Sequence, residues 1–254
     1  MKRMLMMLAA GGFLHFCFAQ DKVNCPGAYK NHLQGIARDA QGDLFWSFTT
    51  VLIKTDSGGK ELAKVDVPNH YGDLTAHGGK VYVAVNFGKF NQEPGAADSW
   101  VYVHDAATLE LLNKYAVPEV VHGAGGMEWH AGKFYVVGGL PSTHVVNYVY
   151  EYTEDFKFVK RHVIESGQTL LGIQTVCRGD DGTWWFGCYG QPAVTLRTDD
   201  SFRFLGKHNY DSSVGVAKSA EDGTLLVARN IRDKESKLNT AWVARVRKEE
   251  IVAK

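Results

Sequence analysis

The sequence predicts an all-β chain, a five-bladed β-propeller of four-stranded antiparallel blades, and three observations carry that expectation. A glycine that closes a short polar turn between two apolar runs recurs at Gly42, Gly79, Gly132, Gly182 and Gly223. Each time it stands in the same phrase, as in GIARDAQGDLFWSF and TVCRGDDGTWWFG. The phrase returns every ~40 to 50 residues, the period of one propeller blade. Between the copies the apolar residues alternate as in strands, and no long amphipathic helical pattern intervenes.

Alternation and turn residues place the strands in order. The first blade, 32–68, takes Leu33 to Arg38, Leu44 to Thr49, Val51 to Thr55 and Leu62 to Val67. In the second, 69–118, the strands are Tyr71 to Ala76, Lys80 to Val85, Trp100 to His104 and Leu109 to Val117. The third, 119–167, offers Gly126 to Trp129, Lys133 to Val137, Val146 to Tyr152 and Phe156 to Val163. The fourth, 168–210, has Gly172 to Cys177, Thr183 to Gly187, Ala193 to Thr198 and Phe202 to Lys207. The last, 211–254, has Val214 to Lys218, Thr224 to Ala228, Thr240 to Val246 and a short strand at Ile251 to Ala253. Two ring closures are open: the stretch from Lys22 to Lys30 adds the outer strand of the last blade, or the C-terminal strand completes that blade alone. Three longer segments, Asn86 to Ser99, Gly138 to Asn147 and Asn230 to Asn239, interrupt the pattern where function is usually carried.

Ahead of the repeats, Met1, Lys2 and Arg3 precede an apolar stretch that ends at Cys17-Phe18-Ala19. This reads as a signal peptide over 1–19, cleaved after Ala19 or Gln20, with a single exported domain over 20–254 in the periplasm or outside the cell. A lipid anchor on Cys17 is disfavoured by the bulk of His15 and Phe16. No other apolar run approaches the ~20 residues of a membrane span. Basic and acidic residues balance at 28 each, which argues against nucleic acid or an anionic membrane as partner. The mature chain is expected to be a soluble monomer. Of Cys25, Cys177 and Cys188, an exported protein is expected to oxidise one pair, with the pairing open.

Residues at the start of each innermost strand converge on one channel mouth, where every blade donates a loop. These positions hold His32 and Gln34, His70 and Asp73, His122, and Gln174; the ends of the second strands add Thr49, Asn86, Lys89, Tyr189 and Arg229. Imidazoles there can bond a sugar or a carboxylate, trade protons near neutral pH, or ligate a metal. His32, His70 and His122 are the candidate ligands of a divalent metal, although His122 is offset by one residue from the other two. His77 and His130 fall in turns at the opposite face, and the role of Glu128 is open. No phosphate loop, nucleophile elbow or H-E-x-x-H motif is present.

Phrases such as VYVHDAATLELLNKYAVP resemble secreted bacterial propellers of the NHL, SMP-30/gluconolactonase and YncE-like type. The stretches HLQGIARD, VVHGAGGMEW and GIQTVCRGDDGTWWFGCYG are similar to a family of uncharacterised exported bacterial proteins. Gln34-Gly35-Ile36 and Gly72-Asp73-Leu74 resemble the Q-G-L and G-E-G-L phrases of five-bladed glutamine cyclotransferases, with Asp in place of Glu and the second glycine absent.

Three functions remain in view. The leading one is binding of a small polar ligand, a carbohydrate or organic acid, at the His-lined mouth. A metal- or His-dependent hydrolase or lyase would use His32, His70 and His122, with Asp73 orienting an imidazole. A protein-interaction scaffold would use the loops at 86–99 and 230–239.

Overall fold

Each glycine of the repeated phrase sits at a tight hairpin in the left-handed backbone region, with φ of 96° at Gly42, 73° at Gly79, 78° at Gly132, 79° at Gly182 and 73° at Gly223. A side chain there would clash with its own carbonyl, so the turn chemistry dictates the residue. An aspartate often completes the turn: Asp39 Oδ1 accepts the N–H groups of Gln41 at 3.0 Å and Asp43 at 2.9 Å.

The computed structural model describes residues 22–254; the expected signal peptide and Cys17 lie outside the described residues. The chain begins with β1 (Val23–Asn24). The first blade follows as β2 (Leu33–Arg38), β3 (Leu44–Phe48), β4 (Val51–Thr55) and β5 (Glu61–Asp66). The second comprises β6 (Tyr71–His77), β7 (Lys80–Asn86), β8 (Ser99–Asp105) and β9 (Leu111–Ala116). The third is β10 (Ala124–His130), β11 (Lys133–Gly138), β12 (Asn147–Thr153) and β13 (Phe158–Ile164). The fourth is β14 (Leu170–Arg178), β15 (Trp184–Tyr189), β16 (Val194–Thr198) and β17 (Phe204–His208). β18 (Val216–Lys218), β19 (Thr224–Arg232) and β20 (Asn239–Arg247) complete the strands, before α1 (Lys248–Val252).

Five four-stranded antiparallel sheets result, and the last has the order β1-β20-β19-β18. The N-terminal stretch therefore closes the ring, with Val23 opposite Val243 and Asn24 opposite Trp242. The strand expected at Ile251 to Ala253 is instead the end of α1. Lys248-Glu-Glu-Ile lacks strand alternation, Glu249 and Glu250 favour a helix N-terminus, and Ile251 is fully buried against Cys177 and Val246. The 230–239 segment is also shorter than expected, because β19 and β20 pair out to Arg232 and Asn239.

The core is divided into apolar clusters between neighbouring sheets. Trp46, Phe48 and Ile36 pack on Ala228 and Val243 where the first and last blades meet. Near the axis the inner strands touch backbone to backbone. A Cβ on Gly35 would lie 2.4 Å from the Asp73 Cα, and one on Gly72 would lie 2.3 Å from the Gly125 carbonyl oxygen. Five blades leave so narrow a channel that these positions admit only glycine.

The expected disulfide does not form. Cys25, Cys177 and Cys188 are all free and buried, each in a different cluster. Cys177 faces Trp185 across its hairpin rather than Cys188. Burial pushes the Cys188 thiol up to about 12. Among the described residues no helix is long and apolar enough to cross a membrane.

Candidate functional site

The inner strands start at one mouth of the channel, and there β2 and β6 bring His32, Gln34 and His70 together. Gln34 Nε2 lies 3.2 Å from His32 Nε2 and 3.3 Å from His70 Nε2, and it donates to Thr49 Oγ1 at 3.0 Å. From the fourth blade, the Tyr189 hydroxyl reaches His32 Nε2 at 3.1 Å. One carboxamide therefore gathers two imidazoles, and a phenol joins them from the far side of the mouth. Burial lowers both histidines below their ordinary value, so the imidazoles are neutral at neutral pH. His70 Nδ1 is buried without a hydrogen-bond partner.

Beside this group a cavity of about 530 Å³ opens between the first and last blades. Lys30, Arg229 and Arg232 line it with a single carboxylate, Asp211, and His32 forms part of its wall. Arg229 is held by the carbonyls of Asp211 at 2.7 Å and Ala228 at 2.8 Å, with its guanidinium over the Tyr210 ring. The cationic lining favours an anionic guest.

Other expected site residues serve the scaffold. Asn86 is buried and braces its own loop, accepting from Gly88 N–H at 3.1 Å and Asp98 N–H at 2.8 Å. Gln174 donates to the Leu171 carbonyl on its own strand at 2.9 Å. Lys89 is exposed on the 86–99 loop. Asp73 does not orient an imidazole. It is fully buried within the ring, where Val176 N–H donates to its Oδ2 at 3.0 Å, and burial pushes its carboxyl well above the usual range.

The trio His32, His70 and His122 does not assemble as a metal site. Gly123, with φ 105°, adds a residue before β10, and this turns His122 towards the 86–99 loop. There its Nδ1–H donates to the Gln92 carbonyl at 3.0 Å. Glu93, His122 and His144 instead bring a carboxylate and two imidazoles within 4.8 Å of one another. Phe90 separates this group from the mouth, its ring centroid 5.2 Å from that of His70. No blade register relates Glu93 to His144, so the repeat does not single them out. The only signal is that both lie on the long loops.

The opposite mouth is a cavity of about 540 Å³ walled by the ends of all five inner strands. It contains Arg38, His77, Glu128, Arg178 and Lys218. His77 stacks on Trp129, with ring centroids 3.5 Å apart. Glu128 Oε1 accepts from Thr75 Oγ1 at 2.7 Å and from Trp129 N–H at 2.9 Å, while Arg178 pairs with Asp200. The Trp129 indole Nε1 in this mouth is, like His70 Nδ1 in the other, buried without a hydrogen-bond partner.

No protein-family model matches the chain. No curated protein matches it either. Among solved structures, a protein of unknown function from Bacteroides caccae is 12% identical, with a TM-score of 0.52 over 87% of this chain and 90% of that one. The WD40 repeats of RRP9 are 8% identical, with a TM-score of 0.53 over 89% of this chain and 98% of that one. At such identities the likeness shows the propeller fold alone.

Proposed function

We propose that this propeller binds a small polar ligand bearing a carboxylate, such as an organic acid or an acidic sugar, at the mouth built by His32, Gln34, His70 and Tyr189. The observation that carries the reading is the shared carboxamide of Gln34, which holds two neutral imidazoles beside the cation-lined cavity. The buried Nδ1 of His70 supports it, since an unpartnered polar atom there gains from a ligand hydrogen bond. In this arrangement Arg229 meets the carboxylate, while the imidazoles and the tyrosine bond hydroxyl groups.

The test is a thermal-shift panel of neutral sugars, hydroxy acids and sugar acids, run with a chelator present and followed by calorimetry of the best compound. Acids should raise the melting temperature of the parent protein, and both His70→Ala and Arg229→Ala should weaken the best one about tenfold or more. Equal shifts from neutral sugars and acids, or binding indifferent to both substitutions, would sink the reading.

A further inference from the structure

Apart from the mouth, three chain segments bring ligand atoms together with no repeat to explain them. Glu93 comes from the loop between β7 and β8, His122 from the turn before β10, and His144 from the loop between β11 and β12. Their ligating atoms all lie within 4.8 Å of one another. We infer that Glu93, His122 and His144 form a transition-metal site that pins these loops over the channel mouth.

The donor set favours a borderline divalent ion. Two imidazoles and one carboxylate suit zinc, iron or cobalt and leave a coordination position open, whereas calcium and magnesium prefer oxygen alone. Each imidazole is also oriented from behind. The hydrogen bond from His122 Nδ1 to the Gln92 carbonyl fixes the tautomer and leaves the Nε2 lone pair free. His144 turns Nε2 to the Glu93 carboxylate, and its Nδ1 faces the Tyr148 hydroxyl at 3.5 Å. His122 is itself buried, and its ring centroid lies 5.2 Å from that of His144. Tetrahedral bonds of about 2.1 Å space their ligands by roughly 3.4 Å, so side-chain shifts of about 1 Å close the set.

The site shares the 86–99 loop with the mouth. Asn91 N–H donates to the His122 carbonyl at 3.1 Å, and Phe90 lies against His70. A bound metal therefore fixes the aromatic wall beside His70, although the site does not depend on any ligand at the mouth.

Untagged protein, stripped with chelator and shown to stay folded by circular dichroism, is titrated with Co²⁺ and Zn²⁺. One equivalent of Co²⁺ per chain should bind with visible d–d absorption, and Zn²⁺ should displace it. His144→Ala and Glu93→Gln, both on loops and folded like the parent, should each weaken binding at least tenfold, whereas His32→Ala should leave it unchanged. No saturable Co²⁺ binding by the folded, stripped protein overturns the inference. So does binding that His32→Ala weakens while the double variant His144→Ala, Glu93→Gln retains it.

Discussion

The carboxyl oxygen Oδ2 of Asp73 accepts the N–H of Val176 at 3.0 Å, tying the second blade to the fourth across the axis. Asp73 is fully buried, and Gly35 and Gly126 are shaped around it: a Cβ on Gly126 would lie 3.0 Å from the Asp73 Cβ. Removing the acceptor leaves a buried amide unsatisfied. Asp73→Ala should therefore lower the unfolding free energy by about 1–3 kcal/mol. Asp73→Asn keeps an acceptor without the charge and should recover most of the loss. Urea titrations of the three proteins decide it; equal stability of the two variants would mean that the bridge contributes nothing.

A second acid, half-buried, lies further along the same channel. Burial raises Glu128 from 4.5 to about 7, against the hydrogen bonds from Thr75 and Trp129. Between these values the folded state keeps a proton that the unfolded chain releases, so this group's stabilisation is complete below 4.5 and is lost as pH rises to about 7. The parent's advantage over Glu128→Gln should accordingly shrink across that window by up to about 3 kcal/mol. Subtracting the variant removes the opposite trend of the buried histidines. An advantage that stays constant with pH would place the Glu128 carboxyl in an ordinary environment.

At the other mouth the histidines titrate in the opposite sense. Burial depresses both His32 and His70 below 6.5, which favours the neutral imidazole that can accept a hydrogen bond. Affinity for the best acid found in the panel should stay level as pH falls to 6.5 and change only below it. His70→Asn should shift that dependence. Calorimetry at several pH values reads it, and a midpoint at 6.5 or above would show that these imidazoles are not the bonding groups.

Most of this fold is legible in local chemistry. The turn glycines, the alternation after them and the apolar second strands such as Leu44–Phe48 give each blade and its inner strand. That register also groups Gln34 with His32 and His70, because positions at one end of inner strands must share a mouth. Local pattern fails where a long-range contact decides. Lys248 draws the C-terminus into a helix by pairing with Asp180 and Asp181 of another blade. Gly123 turns His122 out of register, and its partners Glu93 and His144 are brought near only by loop conformation. The cysteines stay apart because the sheets, not the sequence interval, fix their spacing.

Ring closure gives the most direct stability test. Cys25 N–H donates to the Ala241 carbonyl at 2.9 Å, and Tyr29 and Asn239 exchange backbone bonds at 2.8 and 2.7 Å. The Asn239 side chain adds a bond to the Lys30 carbonyl at 3.1 Å, and the Tyr29 ring packs on Phe48 with centroids 4.4 Å apart. Starting the chain after Lys30 removes all of these and leaves β20 as an open edge. At about 1 kcal/mol for each hydrogen bond, together with the loss of Tyr29, the truncated protein should be less stable by several kcal/mol. It should also self-associate, because β20 would offer an unpaired strand. Adding a peptide of residues 22–30 in trans should restore part of the melting temperature. A truncated protein that melts like the parent and stays monomeric would show that the ring is held by inter-blade packing alone.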